Sequence, residues 1–335
     1  MNAKDRHPLL NSVPPQVEEF LLEPPLAGTG VHQWFYKAAR RTCRYLEETD
    51  QNELLAWAVR NCGRSPGPQE IEKTVHKVRT QYDAGLEFTG GSAWPEPNYE
   101  FVNQLVSGGP TIAEVRNASP VWPLSDDPLY WLNILFAQGN PLLCLAKEVW
   151  KDTGTGREVV RYWSTRSKAA WNKQGCPTHG LIIPNIACSY SGLSQEGKRS
   201  RRCAAMFPER SYLVVELDFS IYSRDGTKET PWAPYIRQWE ARRRTVQDAC
   251  AAVLWHLRSF GPLALIVWSG GKSLHAWFGA AGVPQDKLYP FMRDAVALGA
   301  DPATWSTCQL VRLPAGVRTI NGNLQQVEFF DPDQL

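Results

Sequence analysis

The sequence predicts an α+β protein in which a small helical N-terminal module precedes a larger mixed domain. Three observations carry that reading. Residues 30–80 divide into three helix-like segments, residues 211–219 and 274–278 alternate at the two-residue period of strands with an apolar strand-like run at 263–268, and the stretches between and after them have helical character.

Residues 1–27 contain Pro14-Pro15 and Pro24-Pro25 and are expected to form an irregular arm. A helical module over 28–85 follows, with helices near 30–46, 52–61 and 68–80. Asp50 with Glu53 resembles a capping box, Pro68 suits a first helical turn, and Ile71, Val75 and Val78 mark one apolar face. Such a module suits docking to DNA or a partner, and equally a structural appendage. Residues 86–110, with Gly90-Gly91 and Gly108-Gly109, read as a linker, and 111–335 as the main domain.

In the run Tyr212 to Phe219, alternation puts Leu213, Val215, Leu217 and Phe219 on one face and Glu216 with Asp218 on the other. Two carboxylates side by side repel each other, so they call for solvent or a cation between them. Hard divalent cations such as Mg²⁺ are often held by one or two carboxylates together with substrate phosphates. A solvated acidic edge strand is the competing account. A long helix over about 235–260 is expected next, then strands on either side of Ser269 to Lys272.

That turn contains Gly270-Gly271, which allows positive φ and close approach of phosphate, and Lys272 supplies a point charge. Ser273 and His275, two apart on the returning strand, point the same way. Gly271-Lys272-Ser273 matches the end of a P-loop, but Ile266 stands where the first glycine belongs, and a strand follows instead of a helix.

A helix over 285–299 is expected to end at Gly299, with Asp301 at its exit. Asp-Pro alone suggests a turn or cap. Residues 307–313 are strand-like, and Arg312 and Arg318 suit polyphosphate through planar bidentate hydrogen bonds. The order over about 210–332 is then β-α-β-β-α-β, the ferredoxin-like or RNA-recognition-motif (RRM-like) order that several polymerase palms share.

These motifs resemble the archaeo-eukaryotic primase superfamily, whose signature is an acidic h-acidic strand, an S-x-H hairpin and a later Asp followed by a basic residue near Pro. The resemblance implies that Glu216, Asp218 and Asp301 bind two catalytic divalent metals, Mg²⁺ or Mn²⁺. It also implies that Ser273, His275, Lys272 and Arg312 contact the incoming nucleotide's phosphates. Glu stands at 216 where the family more often has Asp. Phe136 to Cys144 and Gly197 to Arg202 are similar to stretches in primase-like proteins of phages, plasmids and bacterial mobile elements.

The activity so implied is template-directed nucleotidyl transfer by a DNA primase or primase-polymerase. It would make or extend a primer on single-stranded DNA from NTP or dNTP. Two metals roughly 4 Å apart would serve the attacking and leaving oxygens. The alternatives are a non-catalytic, nucleic-acid-binding replication initiator with the same palm, and a repair or end-filling polymerase. With no helicase motor after the palm, a separate replicative helicase is the expected partner.

At 335 residues and 43% hydrophobic content the chain can bury a full core. No run approaches a membrane span and no secretory signal opens the sequence, so no membrane partner and a cytoplasmic location are expected. The net charge of +2 says little about nucleic acid, but its distribution says more. Lys198, Arg199, Arg201 and Arg202 precede the acidic strand as candidate template contacts, and Arg242, Arg243 and Arg244 form a second cluster early in the expected long helix. The 14 tryptophans are expected mostly in the core, with some free to stack on bases. Cys176, His179, Cys188 and Cys203 are the residue types of a structural zinc site, but only the first pair has ligand-like spacing. Free thiols are the stronger reading for all eight scattered cysteines.

Overall fold

A computed structural model of the chain describes residues 6–24, 31–61, 67–83, 94–122, 124–153, 156–194, 198–223 and 226–335. Two compact units emerge, Met1–Ala93 and Trp94–Leu335, and together they make a mixed α+β protein with antiparallel sheets.

The first unit contains α1 (Pro15–Leu22), α2 (Val31–Thr42), α3 (Glu48–Ala58) and α4 (Pro68–Asp83). The expected irregular arm is corrected here, because α1 lies within it. Pro14 and Pro15 stand at the N-cap and first turn, where a missing N–H breaks no helical hydrogen bond. Val17 and Leu21, four apart, join Leu10 and Val13 in a core shared with Phe35, Leu54 and Val75. Asp50 is also corrected as a cap. Helix α3 begins two residues earlier, after Glu47, which leaves Asp50 in the first turn, where its charge suits the helix dipole.

The second unit opens with α5 (Tyr99–Gly108), α6 (Ile112–Asn117) and α7 (Pro128–Leu135). Helix α5 falls in the expected linker, of which residues 86–93 lie outside the described residues. The Asn98 side chain accepts the Phe101 N–H at 3.1 Å to start it, and Val102 and Val106 are fully buried. Gly109 at its end is a packing residue, since a Cβ there would stand 2.7 Å from the Ala252 side chain.

Strands β1 (Leu142–Thr153) and β2 (Gly156–Ser167) form a long hairpin, followed by α8 (Lys168–Gln174) and the short β3 (Leu181–Ile182), β4 (Gly192–Leu193) and β5 (Arg199–Ser200). Then come β6 (Tyr212–Leu217), α9 (Ala233–Ala241), α10 (Val246–Leu257), β7 (Leu263–Trp268), β8 (Leu274–Gly279) and α11 (Gln285–Ala297). The chain finishes with β9 (Val311–Arg312), β10 (Val317–Arg318), β11 (Asn323–Leu324) and β12 (Val327–Phe330).

The expected helix over 235–260 is two helices. Thr245 and Asp248 form a capping box that starts α10, and Arg243 takes a left-handed φ of 59° in the break. The capping signal was present in the sequence inside an apolar periodicity that ran across it.

One sheet has the order β12-β7-β8-β6 and another β2-β1-β3-β9. In the first of these, β8 lies between β7 and β6 and is antiparallel to both. The strand expected over 307–313 is only two residues long and pairs with β3 in the other sheet. Beside β6, where a ferredoxin-like sheet would hold its last strand, the chain makes a single bridge, Leu217 to Ala300, with the Asp301 N–H donating to the Glu216 carbonyl at 2.9 Å. Pro302 then lacks an amide for a ladder, and the 302–305 turn carries the chain away.

Alternation decides what each face of β6 meets. Leu213, Val215 and Leu217 share a core with Ala251 and Leu254 of α10 and Met292 of α11, whereas Tyr212 and Val214 share one with Leu143, Leu145, Ile182 and Val311 of the second sheet. Each fully buried aliphatic side chain is worth about 1.5–3 kcal/mol. No helix among the described residues is long and apolar enough to cross a membrane.

Candidate active site

Glu216 sits near the end of β6, on the face of Tyr212 and Val214, and its cross-strand partner is His275 on β8. The carboxylate Oε1 lies 3.6 Å from His275 Nε2, and Ser273 Oγ lies 3.4 Å from the same nitrogen. The period of two thus brings the acidic strand and both side chains of the hairpin to one place. Ser273 and His275 are buried, while Glu216 is partly open.

The turn is built for this approach. Gly270 has a φ of 72°, the Ser269 N–H donates to the Ser273 carbonyl at 3.0 Å, and the side-chain amides of Asn321 and Asn323 donate to the Gly270 carbonyl at 2.9 and 2.8 Å. A side chain on Gly271 would run into the Arg318 guanidinium. Lys272 leaves the turn toward β6, its Nζ 3.4 Å from Asp218 Oδ1 and donating to Ser220 Oγ at 2.8 Å.

Helix α11 delivers Asp301. Gly299 ends the helix with a φ of 97°, and Asp301 caps the following 3₁₀ turn by accepting the Ala303 N–H at 2.9 Å. Both the turn role of an Asp-Pro pair and a position beside Glu216 are therefore present in one residue.

Arg312 reaches the same cleft from β9. Its Nη1 donates at 3.1 Å to Glu148, a buried carboxylate on β1 that also accepts from Arg161 Nε of β2 at 3.3 Å. Glu148 and Arg161 were missed in the sequence. The available signal was a charged pair within two β-rich runs joined by Gly154-Thr155-Gly156, a hairpin pattern that puts the two residues opposite each other. A cleft of about 770 Å³ is lined by Glu216, Asp218, Asp301, Lys272, Ser273 and His275, with Arg312, Arg318, Arg161 and Glu148 on its other walls.

The charges are unevenly solvated. Burial, then the nearby Asp301 charge, pushes the Glu216 carboxyl up to about 7, against the pull of Arg312, Arg161 and Arg318. Burial also raises Asp218, although Lys272 opposes the rise. Burial, followed by the positive charge of Arg312, lowers His275 to about 3, so its imidazole is neutral near pH 7. The donor set therefore consists of hard carboxylate oxygens that strain one another's ionisation and are faced by arginines, which suits a divalent cation with a phosphate. Among the described residues, no three His, Cys, Asp or Glu side chains close on one point as a finished metal centre.

Other candidates are placed elsewhere. Cys176 is buried in the core of Trp171, where burial pushes its thiol up to about 11, and His179 stands edge-on to the Trp171 ring. Cys203 belongs to a different core with Met206, and Cys188 is exposed beside that core. Cys176 and Cys203 thus lie in different cores. Arg242 and Arg244 are corrected from an early-helix position to the break before α10, where they bond Ser107 Oγ and the Gly109 carbonyl, both at 2.8 Å. Arg199 donates to Ser191 Oγ at 3.1 Å, and Arg202 donates to the Cys308 carbonyl at 2.9 Å and to Gln309 Oε1 at 3.3 Å. Arg201 is exposed beside them.

Comparison of the chain with known protein families, with characterised proteins and with solved structures gives no match.

Proposed function

We propose that this protein is a metal-dependent nucleotidyltransferase of the primase or primase-polymerase type, resembling the archaeo-eukaryotic primases and acting on a single-stranded DNA template with an RRM-like palm. One observation carries the reading: four carboxylates, a Ser-x-His pair, a lysine and three arginines line the same cleft, from segments far apart in sequence. A structural use of so many buried or half-buried charges would call for mutual pairing. Here Glu216 keeps a raised affinity for its proton despite three arginines nearby.

Glu216, Asp218 and Asp301 would hold Mg²⁺ or Mn²⁺. When bound, the metal would neutralise phosphate charge and lower the proton affinity of an attacking hydroxyl. The protein's own part is orientation and charge. Arg312, fixed by Glu148, offers a planar donor pair to a phosphate. Lys272 bridges the turn and the acidic strand, so phosphate entering between them meets an ammonium group. His275, being neutral, can accept or donate one hydrogen bond through Nε2 without placing a positive charge beside the metal ligands. A cleft of this size suits a nucleoside triphosphate.

The test is direct. Purified protein is incubated with single-stranded DNA, labelled nucleotides and Mg²⁺ or Mn²⁺, with and without a primer. Asp218→Ala and Asp301→Ala are run beside it. The expected result is metal-dependent product from the wild type and a loss of at least about a hundredfold in each variant. No product under any condition sinks the proposal. Product only with a supplied primer assigns extension in place of priming.

A further inference from the structure

We propose that one face of the β1–β2 hairpin is a docking track for single-stranded nucleic acid, with Trp150 and Trp163 as base-stacking residues; that the docked strand is the template rests on the function proposed above. The register makes the face explicit. Trp150 lies opposite Val159, Glu148 opposite Arg161 and Ala146 opposite Trp163, so Trp150, Val159, Arg161 and Trp163 share one side of the ribbon. Val159 and Arg161 line the cleft, which makes this face a continuous extension of the cleft wall toward the hairpin tip.

The chemistry of that face is selective. Trp150, Val159 and Trp163 are 48%, 38% and 38% exposed, an unusual outlay of tryptophan beside a charged cleft. Glu148, the carboxylate on this face nearest the cleft, is neutralised by Arg161 and Arg312. Arg202 lies 5.8 Å over the Trp163 ring and is held in place by the Cys308 carbonyl and Gln309, the latter itself a cleft residue. Arg199 and Arg201 stand on the same basic segment. Aromatic faces alternating with arginines, without an uncompensated acid between them and the cleft, complement unpaired bases on a phosphate backbone. They complement a duplex poorly, because its bases are already stacked.

The experiment measures binding of the full-length protein to a fluorescein-labelled 20-nucleotide single strand at fixed salt, by anisotropy. It is paired with photocrosslinking to a bromodeoxyuridine-substituted strand and mapping of the crosslinked peptide. Trp150→Ala and Trp163→Ala are expected to weaken binding about tenfold each, with partial rescue in Trp150→Phe and Trp163→Phe, and crosslinks are expected in β1 or β2. Tyr162→Ala, on the opposite face of the same hairpin and 53% exposed, and Trp122→Ala, 61% exposed elsewhere, are expected to leave binding unchanged. Unaltered affinity in a folded Trp150→Ala/Trp163→Ala double variant overturns the proposal, as does an equal loss in Tyr162→Ala. Failure of the catalytic reading looks different: hairpin-dependent strand binding would persist while no nucleotide is incorporated.

Discussion

Glu216 and His275 face each other as direct cross-strand partners with 3.6 Å between carboxylate oxygen and ring nitrogen, yet near neutral pH they are not an ion pair. Burial keeps the imidazole neutral down to about 3, and burial with the Asp301 charge holds the carboxyl protonated up to about 7.

That imbalance has a signed consequence for stability. The Glu216 pKa is raised in the folded protein, so its contribution is fully present below the ordinary value of 4.5 and is lost as pH rises through about 7. In metal-free buffer, Glu216→Gln is expected to melt higher than wild type at pH 8 and nearly level with it at pH 5. Melting curves at the two pH values check this, and a less stable Glu216→Gln at pH 8 contradicts it. Adding Mn²⁺ at pH 8 is expected to stabilise wild type and not the variant.

Lys272 makes a different kind of contribution. It is half exposed and its contact with Asp218 is an open ion pair, so Lys272→Ala is expected to change stability by less than about 1 kcal/mol. Asp218 would lose the group that opposes its upward shift. Nucleotide titration of the variant is expected to give a KM about tenfold higher, and an unchanged KM would remove Lys272 from the proposed phosphate contacts.

Glu148 is the reverse case, a residue whose loss is felt in both stability and binding. Its carboxylate is buried and shared by Arg161 and Arg312, so Glu148→Ala leaves two guanidinium groups without their partner. Breaking a buried pair costs about 3 kcal/mol. Chemical denaturation should register that loss, and nucleotide affinity should fall with it because Arg312 is no longer oriented. The Glu148→Ala/Arg312→Met double variant should be less destabilised than the sum of the single changes.

Gly299 tests whether the exit of α11 positions Asp301. A Cβ there would stand 2.8 Å from ring atoms of both Phe219 and Trp232, on a backbone with a φ of 97°. Gly299→Ala is expected to cost about 2 kcal/mol or more in an unfolding titration and to lower nucleotide incorporation at temperatures where the protein is still folded. Full activity together with full stability would show that the exit tolerates displacement.

The site was legible where the two-residue period governed it. Glu216 and His275 needed only alternation and one glycine turn to be put on facing positions, and Gly299 announced the end of α11. The arm, the linker and the long helix were misread for a shared reason: prolines, glycines and arginines have position-dependent meanings. Pro15 begins a helix, Gly109 permits close helix packing, and Arg243 occupies a left-handed break. Glu148 and Arg161 were invisible because buried charge can be justified only by a partner, and Arg312 is 164 residues away from Glu148. The last strand went astray because a two-residue segment carries too little pattern to say which sheet it joins.

The placement of β9 also sets where the protein can be cut. A fragment spanning 210–332 would retain Glu216, Asp218 and Asp301 but would strip β9 of β3, the strand it pairs with, and deprive Arg312 of the carboxylate that aims it. A fragment that keeps the whole cleft lining must therefore begin upstream of the β1–β2 hairpin. The natural excision point is the boundary between Ala93 and Trp94, since the N-terminal helices close around a core of their own.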